Sequence, residues 1–412
     1  MHNPQLDAQS VSEATHGRLA EEARGLLLEL WGRPRASVEL PRRLRACRLW
    51  SRQRRLLREL CYSCIRRSGH HQRGLAAGGW TGEDPSWACY LAELVSRGLA
   101  PERAGQLLGQ AVFGVRAAAP RTLAELAAEG AVDETLLQAF GDLQLARSFV
   151  LGQLDRGPLT LRSKEREALA SELEAAGHEV RTTRWARDGL QVSGSPDLSA
   201  WTGRFQVQDE ASQLVAELVA PGRRSLVVDY CAGAGGKSLA LLDRAPRGMR
   251  LLSCDLRPRS LKEASRRARE LGLRLQTARY EDLELASASR VLVDAPCTGS
   301  GTLRRDPALR WRLDVGLLAE QVELQRQVLD SAARLVKPGG RLIYATCSLL
   351  PAENERQVEA FVDRHPAFSQ VHIAEVLGGE RASALGRDGQ LHMSPEAHGS
   401  DGFFAAILSR AG

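Results

Sequence analysis

Short apolar runs alternate with amphipathic stretches in the second half of the chain. The runs have the length of buried strands and lie at 226–230, 251–255, 274–277, 291–294, 341–346 and 402–409. Segments with the residue spacing of helices lie between them, at 238–244, 260–271, 314–336 and 353–364. Strands that alternate with helices in this way predict a mostly parallel, doubly wound α/β sheet. Residues 221–412 are therefore expected to form an α/β domain.

The first part of the chain has helical periodicity instead. Apolar residues recur at helical intervals over 17–31, 38–68, 87–96, 101–112, 123–128 and 133–147, which predicts an all-helical domain over residues 1–150. Residues 151–220 combine short strands near 157–162 and 201–210 with helices over 163–176 and 211–219. This mixture predicts a small α+β linker subdomain between the two larger domains.

Size and composition indicate a multidomain globular protein. A chain of 412 residues is too long for one ordinary core, so two or three domains are expected. A hydrophobic content of 43% and a charged content of 26% are typical of soluble proteins. No signal peptide is recognisable, and no apolar run approaches the ~20 residues of a membrane span. Eight cysteines in this setting indicate reduced thiols, so we expect a cytoplasmic protein without membrane contact and take a monomer as the default.

Positive charge is concentrated near the N-terminus. The net charge is +6, and residues 41–73 contain eleven arginines and a single acidic residue, Glu59. Such a cluster has two interpretations, a solvated helix face or a contact with the RNA backbone, where the guanidinium group suits phosphate. The same stretch holds Cys61, Cys64, His70 and His71, whose spacing resembles that of zinc ligands. Because the cysteines lie inside an apolar helical pattern, we expect buried thiols and no metal site.

A glycine-rich loop follows the first strand of the α/β domain and opens a helix. It comprises Cys231, Ala232, Gly233, Ala234, Gly235, Gly236 and Lys237. Glycines there let the backbone approach a ligand, and a helix N-terminus favours negative groups. The spacing fits neither a Walker motif nor a dinucleotide fingerprint, but Asp255 ends the second strand where ribose hydroxyls are held in related folds. The loop is either a generic tight turn or a site for a nucleoside cofactor without a pyrophosphate, which S-adenosylmethionine matches.

Two later strands each end in a cysteine beside small or polar residues. Cys297 follows 291–294, with Asp294 three residues before it, and Cys347 follows 341–346. Either cysteine alone is most simply a buried small hydrophobe. Together, at the ends of strands where ligands bind in such sheets, they suit covalent chemistry on a pyrimidine. A thiolate that adds to C6 makes C5 nucleophilic enough to accept a methyl group.

Several motifs together resemble the Sun (Fmu, RsmB-like) family of RNA cytosine-C5 methyltransferases. They are Asp229 to Lys237, Asp294 to Pro307 with Trp311, Lys337 to Gly340, Thr346 to Ser348 with Glu353 and Asn354, Val207 to Gln213, and Asp401-Gly-Phe-Phe. The resemblance covers roughly 155–410 and implies a Rossmann-like class I methyltransferase fold. More weakly, residues 51–62 resemble the NusB-like RNA-binding domain that precedes the catalytic part of the bacterial ribosomal members.

The resemblance also implies roles for individual residues. Cys347 would be the nucleophile, Cys297 would assist release of the methylated base, and Asp294 would contact the cytosine ring. Residues 231–237, Asp255 and Asp282 would hold S-adenosylmethionine together with Asp294, with Glu281 as an alternative to Asp282. Arg304 and Arg305 would contact RNA.

The expected activity is methylation of C5 of a cytosine in RNA, with ribosomal RNA as the expected substrate. Transfer RNA or DNA are alternative substrates, and a non-catalytic RNA-binding assembly factor is an alternative function. Two departures from the family pattern bear on this expectation. Ala234 replaces the usual proline of the cofactor loop, and Leu161 to Lys164 replace an Arg-Val-Asn motif in the linker, which puts an RNA contact there in doubt.

Overall fold

The computed structural model of the chain describes residues 7–110, 113, 117–194 and 196–412. The chain divides into two compact units. The helical unit takes the described residues of Met1–Arg156 together with Thr302–Leu317, and the sheet unit takes those of Gly157–Gly301 and Leu318–Gly412. The predicted linker subdomain of 151–220 therefore falls mostly within the sheet unit.

The helical unit is built from short helices. Those in its described residues are α1 (Ala8–Thr15), α2 (Gly17–Leu30), α3 (Ala36–Ala46), α4 (Ser51–Arg66), α5 (Ser68–Ala77), α6 (Pro85–Ser96), α7 (Pro101–Leu108), α8 (Leu123–Gly130), α9 (Glu134–Gln138) and α10 (Leu143–Gly152). The start of α6 shows how the sequence sets a helix end. The Asp84 side chain caps the helix by accepting from the N–H groups of Ser86 and Trp87, and Pro85 takes the first helical position.

The predicted helices correspond to these elements with shifted ends. The residues predicted as one helix over 133–147 form two helices, α9 and α10, because residues 139–142 interrupt the helical structure. The helix predicted over 101–112 ends at Leu108, and residues 111 and 112 lie outside the described residues. No helix in the described part of the chain is both long and apolar enough to cross a membrane.

Three of the four residues that resembled zinc ligands are buried in the helical unit, and the fourth, His70, is partly exposed. Cys61 and Cys64 are fully buried in α4. His71 Nε2 lies 2.9 Å from the buried carboxylate of Glu93, and His70 Nδ1 lies 2.7 Å from Glu129. The described residues contain no group of three or more His, Cys, Asp or Glu side chains arranged to hold a metal ion.

Part of the sequence after the Cys297 loop returns to the helical unit. Within Thr302–Leu317, Ala308 is fully buried in the helical core and the Trp311 ring lies 5.8 Å from that of Trp31. The Arg310 side chain is buried and donates to the Gly130 carbonyl at 2.8 Å. This return differs from the predicted domain division, which assigned all of 221–412 to one domain.

The sheet unit contains two sheets. The small antiparallel sheet has the order β2–β3–β1–β4, with β1 (Leu159–Arg162), β2 (Val180–Thr182), β3 (Gly189–Val192) and β4 (Gln206–Val207), and α11 (Arg166–Ala175) packs on it. The strands of the large sheet are β5 (Leu226–Asp229), β6 (Arg250–Ser253), β7 (Gln276–Thr277), β8 (Ala288–Asp294), β9 (Val336–Thr346), β10 (Phe368–Val371), β11 (Gly386–Arg387), β12 (Gln390–Met393) and β13 (Phe403–Arg410). The helices connecting them are α12 (Glu210–Val219), α13 (Gly236–Asp243), α14 (Pro258–Glu270), α15 (Val315–Ala333), α16 (Glu355–Arg364), α17 (Ala374–Leu377), α18 (Gly379–Leu385) and α19 (Pro395–His398).

The large sheet has helices on both faces, as the sequence predicts. Its order is β11–β12–β13–β9–β8–β5–β6–β7, and β10 pairs with β13. The pairs from β9 to β7 are parallel, and β10 to β13 add an antiparallel edge. Val227 packs with residues of α12 and its neighbour Val228 with residues of α15, so the two faces are buried separately. The strand order reverses beside β5, which is where such sheets bind ligands.

The turn at Lys337–Gly340 lies inside β9 and not ahead of it. The pairing with β8 jumps from Ala288 with Val336 to Arg290 with Arg341, so the turn residues bulge out of the ladder. Gly339 has a φ of 72°, a conformation that glycine adopts readily and that suits the position after Pro338 in a type II turn.

Candidate active site

The two predicted cysteines meet at one edge of the large sheet. Cys297 follows β8 and Cys347 follows β9, which are adjacent and parallel with Asp294 opposite Ala345. The two Sγ atoms lie 3.3 Å apart, and both side chains are partly buried. The proximity expected from the sequence is therefore observed. The catalytic roles of the two thiols remain predictions.

The surroundings of the Cys297 thiol raise its pKa. Its hydrogen bond with Cys347, its burial and the nearby Glu353 charge hold the pKa of Cys297 well above its usual value. A thiol with a raised pKa remains protonated at neutral pH. Cys297 can thus donate its S–H to the Cys347 sulfur, 3.3 Å away.

The loop after Cys297 is tied to β9 and to the start of β13. The Gly301 N–H donates to the Cys347 carbonyl at 3.0 Å, and the Gly402 N–H donates to the Gly301 carbonyl at 2.8 Å. A Cβ at Gly301 would lie 2.2 Å from the Gly402 carbonyl oxygen, so only glycine fits there. These bonds hold the segment Cys297–Gly301 against Cys347, the residue that follows β9.

Asp294 is held by a lysine of the glycine-rich loop. Lys237 Nζ donates to Asp294 Oδ2 at 2.7 Å, and the ammonium group also lies 5.1 Å from the centre of the Phe403 ring. Lys237 is buried, whereas about a third of the Asp294 side chain is exposed, 32%. The pair joins the start of α13 to the end of β8.

The predicted cofactor loop runs from β5 into α13. Gly235 has a φ of 80°, and a Cβ there would lie 2.7 Å from the Ala264 Cβ, so the turn requires glycine. The Ala234 carbonyl accepts from Arg267 Nη1 at 2.8 Å. This side chain of α14 holds the turn at the position where the family usually has proline. The loss of proline therefore does not leave this part of the loop without support.

Two acidic residues lie at the carboxyl ends of β5, the strand before the loop, and β6, its neighbour in the sheet. Asp255 follows β6 and accepts from the Gly233 N–H at 2.9 Å and from the Arg257 N–H at 2.8 Å. Burial acts to raise the pKa of Asp255, but the hydrogen bonds from Arg257 and Gly233 outweigh it and lower the pKa. Asp229 ends β5 and is 1% exposed. Its Oδ2 accepts from the Ser238 hydroxyl at 2.5 Å, and burial raises the pKa of Asp229 to about 7.

These groups suit a cofactor with hydroxyl and ammonium donors. The buried Asp229 Oδ1 receives no hydrogen bond from any residue in the described ranges, which leaves acceptor capacity beside the glycine turn. Asp255 supplies a second carboxylate at the end of the neighbouring strand. The chemistry of a nucleoside carrying an amino acid therefore matches the residues present. Sequence reasoning had given Asp229 no role, although its position at the end of a buried strand was visible.

The alternative acidic residues Glu281 and Asp282 lie in the 3₁₀ turn Tyr280–Asp282, and both are exposed. Glu281 pairs with Arg279 at 3.1 Å. Burial and then the charges of Asp229 and Asp282 raise the pKa of Cys254 to about 12, so Asp282 acts on the end of β6. A cofactor contact by either residue remains a prediction.

The two arginines predicted to contact RNA lie in the segment that returns to the helical unit. Arg304 is 5% exposed, and its backbone N–H donates to the Gln153 side chain at 3.0 Å. Arg305 is half-buried. Burial favours a structural role for Arg304, and an RNA contact by either side chain remains a prediction. In the linker, Arg162 is also buried and donates to Asp243 at 2.6 Å, a contact within the sheet unit.

Comparison with known proteins shows which family the second half of the chain matches. A family model described as 16S rRNA methyltransferase RsmB/F matches residues 216–409. Ribosomal RNA small subunit methyltransferase B of Vibrio cholerae is 33% identical over 62% of this chain and 59% of that protein. Residues 216–409 of this chain match the Sun (RsmB/F) family. The resemblance inferred from the motifs is thus confirmed.

Other comparisons agree with this match. A protein of Bacillus subtilis named probable ribosomal RNA small subunit methyltransferase B is 32% identical over 60% of this chain and 58% of that protein. The chain thus spans less than three fifths of the length of these curated Sun-family relatives. The crystal structure of PH0851 covers 99% of this chain and 100% of its own, with a TM-score of 0.72 at 23% identity, which shows a shared fold.

Proposed function

We propose that this Sun-family protein transfers a methyl group from S-adenosylmethionine to C5 of a cytosine in RNA, with small-subunit ribosomal RNA as the substrate. The observation that carries the proposal is the 3.3 Å separation of the Cys297 and Cys347 sulfurs at the ends of adjacent parallel strands. Two thiols so close can act on the adjacent C5 and C6 atoms of one pyrimidine ring. A single buried thiol could not divide the attack and the release between two groups.

In this mechanism Cys347 attacks first. Its thiolate forms a bond to C6, and the electron pair of the C5–C6 double bond moves to C5 and into the ring. Asp294, held by Lys237, is the group proposed to accept a hydrogen bond from the N4 amino group of the ring. Cys297 remains protonated at this stage because its pKa is raised.

Release requires transfer of the C5 proton to a base after methylation. The C5–H electron pair then restores the C5–C6 double bond, and the pair of the C6–S bond returns to Cys347. Cys297 is the nearest thiol to that bond and is proposed to assist this elimination. Bound S-adenosylmethionine would supply the methyl group as an electrophile to the C5 electron pair, with S-adenosylhomocysteine as the leaving group. Residues 231–237, Asp255, Asp282 and Asp294 are proposed to hold it, and Asp229 joins them as a second buried carboxylate.

The helical unit is proposed to bind the RNA backbone. Seven of the arginines in the basic stretch are exposed around the end of α3 and in the first half of α4, with Trp50 among them at 81% exposure: Arg42, Arg43, Arg45, Arg48, Arg52, Arg55 and Arg58. By contrast, Arg66 and Arg67 are buried in the core. An exposed basic surface with an aromatic ring suits phosphate contacts and base stacking. The relatives' names, which state ribosomal RNA, support the choice of RNA class.

The test separates the proposed reaction from its alternatives by the fate of each thiol. Purified wild type, Cys297→Ala and Cys347→Ala are incubated with S-adenosylmethionine and small-subunit ribosomal RNA, and protein–RNA adducts are resolved on denaturing gels. We expect Cys297→Ala to accumulate an adduct and Cys347→Ala to form none. The reverse pattern would assign the nucleophile of DNA-type enzymes to this chain. Failure of wild type to bind S-adenosylmethionine in calorimetry would instead support a non-catalytic RNA-binding factor.

Bisulfite sequencing identifies the substrate independently. RNA from a deletion strain is compared with RNA from the parent, and one small-subunit cytosine is expected to lose its methylation. Loss at a transfer RNA position would move the substrate to that class. Parallel reactions with free RNA and with assembling particles distinguish the two forms of the ribosomal substrate.

A further inference from the structure

A buried carboxylate joins the turns that follow β8 and β9. Glu353 ends the 3₁₀ turn Pro351–Glu353 and is 0% exposed. Its Oε1 accepts from the Thr298 N–H at 2.8 Å, and its Oε2 accepts from the Thr298 hydroxyl at 2.6 Å and from the Ser348 hydroxyl. Thr298 directly follows Cys297, and Ser348 directly follows Cys347. One carboxylate therefore holds the residue after each cysteine.

A glutamine of α15 extends the same contact to the other side of Cys297. Gln325 is 0% exposed, and its Nε2 donates to Glu353 Oε1 at 2.9 Å and to the Pro296 carbonyl at 3.0 Å. Residues on both sides of Cys297 are thereby attached to Glu353, one directly and one through Gln325. We infer that Glu353 is a positioning residue that fixes the separation and orientation of the Cys297 and Cys347 thiols.

The energetics support a positional role. A buried carboxylate is costly unless its oxygens are satisfied, and Glu353 accepts four hydrogen bonds from Thr298, Ser348 and Gln325. Hydrogen bonds to a carboxylate are among the stronger ones in proteins. Displacing either turn would therefore break bonds that a buried acceptor cannot replace with water. The two turns are restrained together because they share this acceptor.

The consequence for methyl transfer rests on the proposed function. Attack at C6 and assistance at C5 require both sulfurs to face one ring, and a displacement of about 1 Å can lower a rate by about 10²-fold. The restraint on the thiols does not itself depend on RNA or on a methyl donor. The inference can accordingly be tested on the free protein as well as in the reaction.

The principal variant is Glu353→Gln, which keeps the size of the side chain. Its amide oxygen can still accept from the Thr298 N–H and from Gln325, but its NH₂ group must face the two hydroxyls that donated to Oε2. The matched control is Glu359→Gln, an exposed glutamate of α16. Diamide removes two electrons and two protons from a close thiol pair to form a disulfide, so its reaction rate reports the approach of Cys297 and Cys347.

We expect Glu353→Gln to slow both the diamide cross-link and the single-turnover adduct by about tenfold or more, without a change in the affinity for RNA. The cross-link is read by mass spectrometry of the peptide pair that contains both cysteines. Glu359→Gln should match wild type in both measurements. If Glu353→Gln slows the cross-link but Cys297→Ala forms no RNA adduct, the positional role of Glu353 is retained and the proposed reaction is rejected. A folded Glu353→Gln protein with wild-type rates would overturn the inference.

Variants at the donors keep the inference testable if Glu353→Gln does not fold. Thr298→Val and Ser348→Ala each remove one hydroxyl donor and leave the carboxylate in place. Each should slow the cross-link, and Thr298→Ser should restore it because it returns the hydroxyl. Wild-type cross-linking in both Thr298→Val and Ser348→Ala would show that the shared carboxylate does not position the thiols.

Discussion

Lys237 Nζ donates to Asp294 Oδ2 at 2.7 Å, so the loop proposed to bind the methyl donor and the strand that carries the proposed cytosine contact are joined by one ion pair. The lysine is buried and the carboxylate is partly exposed. The lysine is therefore fixed by its surroundings, while the acid can still meet a ligand. This difference in exposure suits a carboxylate that must keep one orientation while the cytosine of the substrate enters and leaves.

The first prediction concerns this pair. Asp294→Asn keeps the shape of the side chain but removes the charge that Lys237 balances and weakens the group proposed to hydrogen-bond the ring. We expect the rate of adduct formation to fall by about 10²-fold to 10⁴-fold, the usual contribution of a positioned acid or base. Single-turnover gels with ribosomal RNA measure the rate. Asp363→Asn, at an exposed aspartate of α16, is the control, and equal rates in the two variants would exclude Asp294 from the chemistry.

The second prediction concerns stability and pH. Burial raises the pKa of Asp229 from 3.8 to about 7, so the folded state binds this proton more tightly than the unfolded state. The stability that protonated Asp229 contributes is complete below its unfolded pKa and is lost as the pH rises through its folded pKa. The free energy of unfolding of wild type should therefore fall between pH 3.8 and about 7, by an amount on the order of a few kcal/mol, relative to Asp229→Asn.

Denaturant unfolding of both proteins across that pH range measures the difference. Subtraction of the two profiles removes the contributions of all other titrating groups. A difference that stays constant with pH would mean that Asp229 titrates at an ordinary pKa despite its burial. Excess S-adenosylmethionine offers a second reading, since a ligand ammonium placed at Asp229 would stabilise the ionised form and flatten the wild-type profile.

Local sequence signals predicted the parallel part of the sheet and the meeting of the thiols. Short apolar runs ending at Asp294 and Thr346 mark strand ends, and parallel strands place those ends at one edge. The distance between Cys297 and Cys347 then follows from β8 and β9 being neighbours. The antiparallel edge was not predicted because strand direction leaves no mark in a short run such as β12.

The remaining features depend on contacts between distant parts of the chain. The return of Thr302–Leu317 to the helical unit depends on Trp311 meeting Trp31, and neither residue has a pattern that identifies the other. Glu353 was visible only as part of a family motif, since its hydrogen bonds to Thr298 and Ser348 exist only after the strands are paired. Arg267 likewise became a support of the cofactor loop only in three dimensions.

The third prediction concerns that support. Arg267→Ala removes the donor to the Ala234 carbonyl, so the glycine turn should become more mobile and bind S-adenosylmethionine less tightly. A lost hydrogen bond of this kind weakens binding by about twofold to tenfold. Isothermal titration measures the affinity. Arg269→Ala, an exposed arginine on the same helix, should leave it unchanged, and equal affinities in both variants would mean that the turn does not need Arg267.

The fourth prediction concerns the basic surface of the helical unit. Arg48 and Arg55 are exposed in the proposed RNA-binding cluster, whereas Arg259 and Arg269 are exposed on α14 in the sheet unit. Replacing a phosphate-contacting arginine reduces the dependence of log K on log salt by about 0.7 to 0.9 per contact. We expect Arg48→Gln with Arg55→Gln to lower this slope and weaken RNA binding, because counterion release is lost. The charge-matched double variant Arg259→Gln with Arg269→Gln should change the slope less. Fluorescence anisotropy of a labelled ribosomal RNA fragment across a salt series measures both slopes, and equal slopes would show that the cluster acts only through net charge.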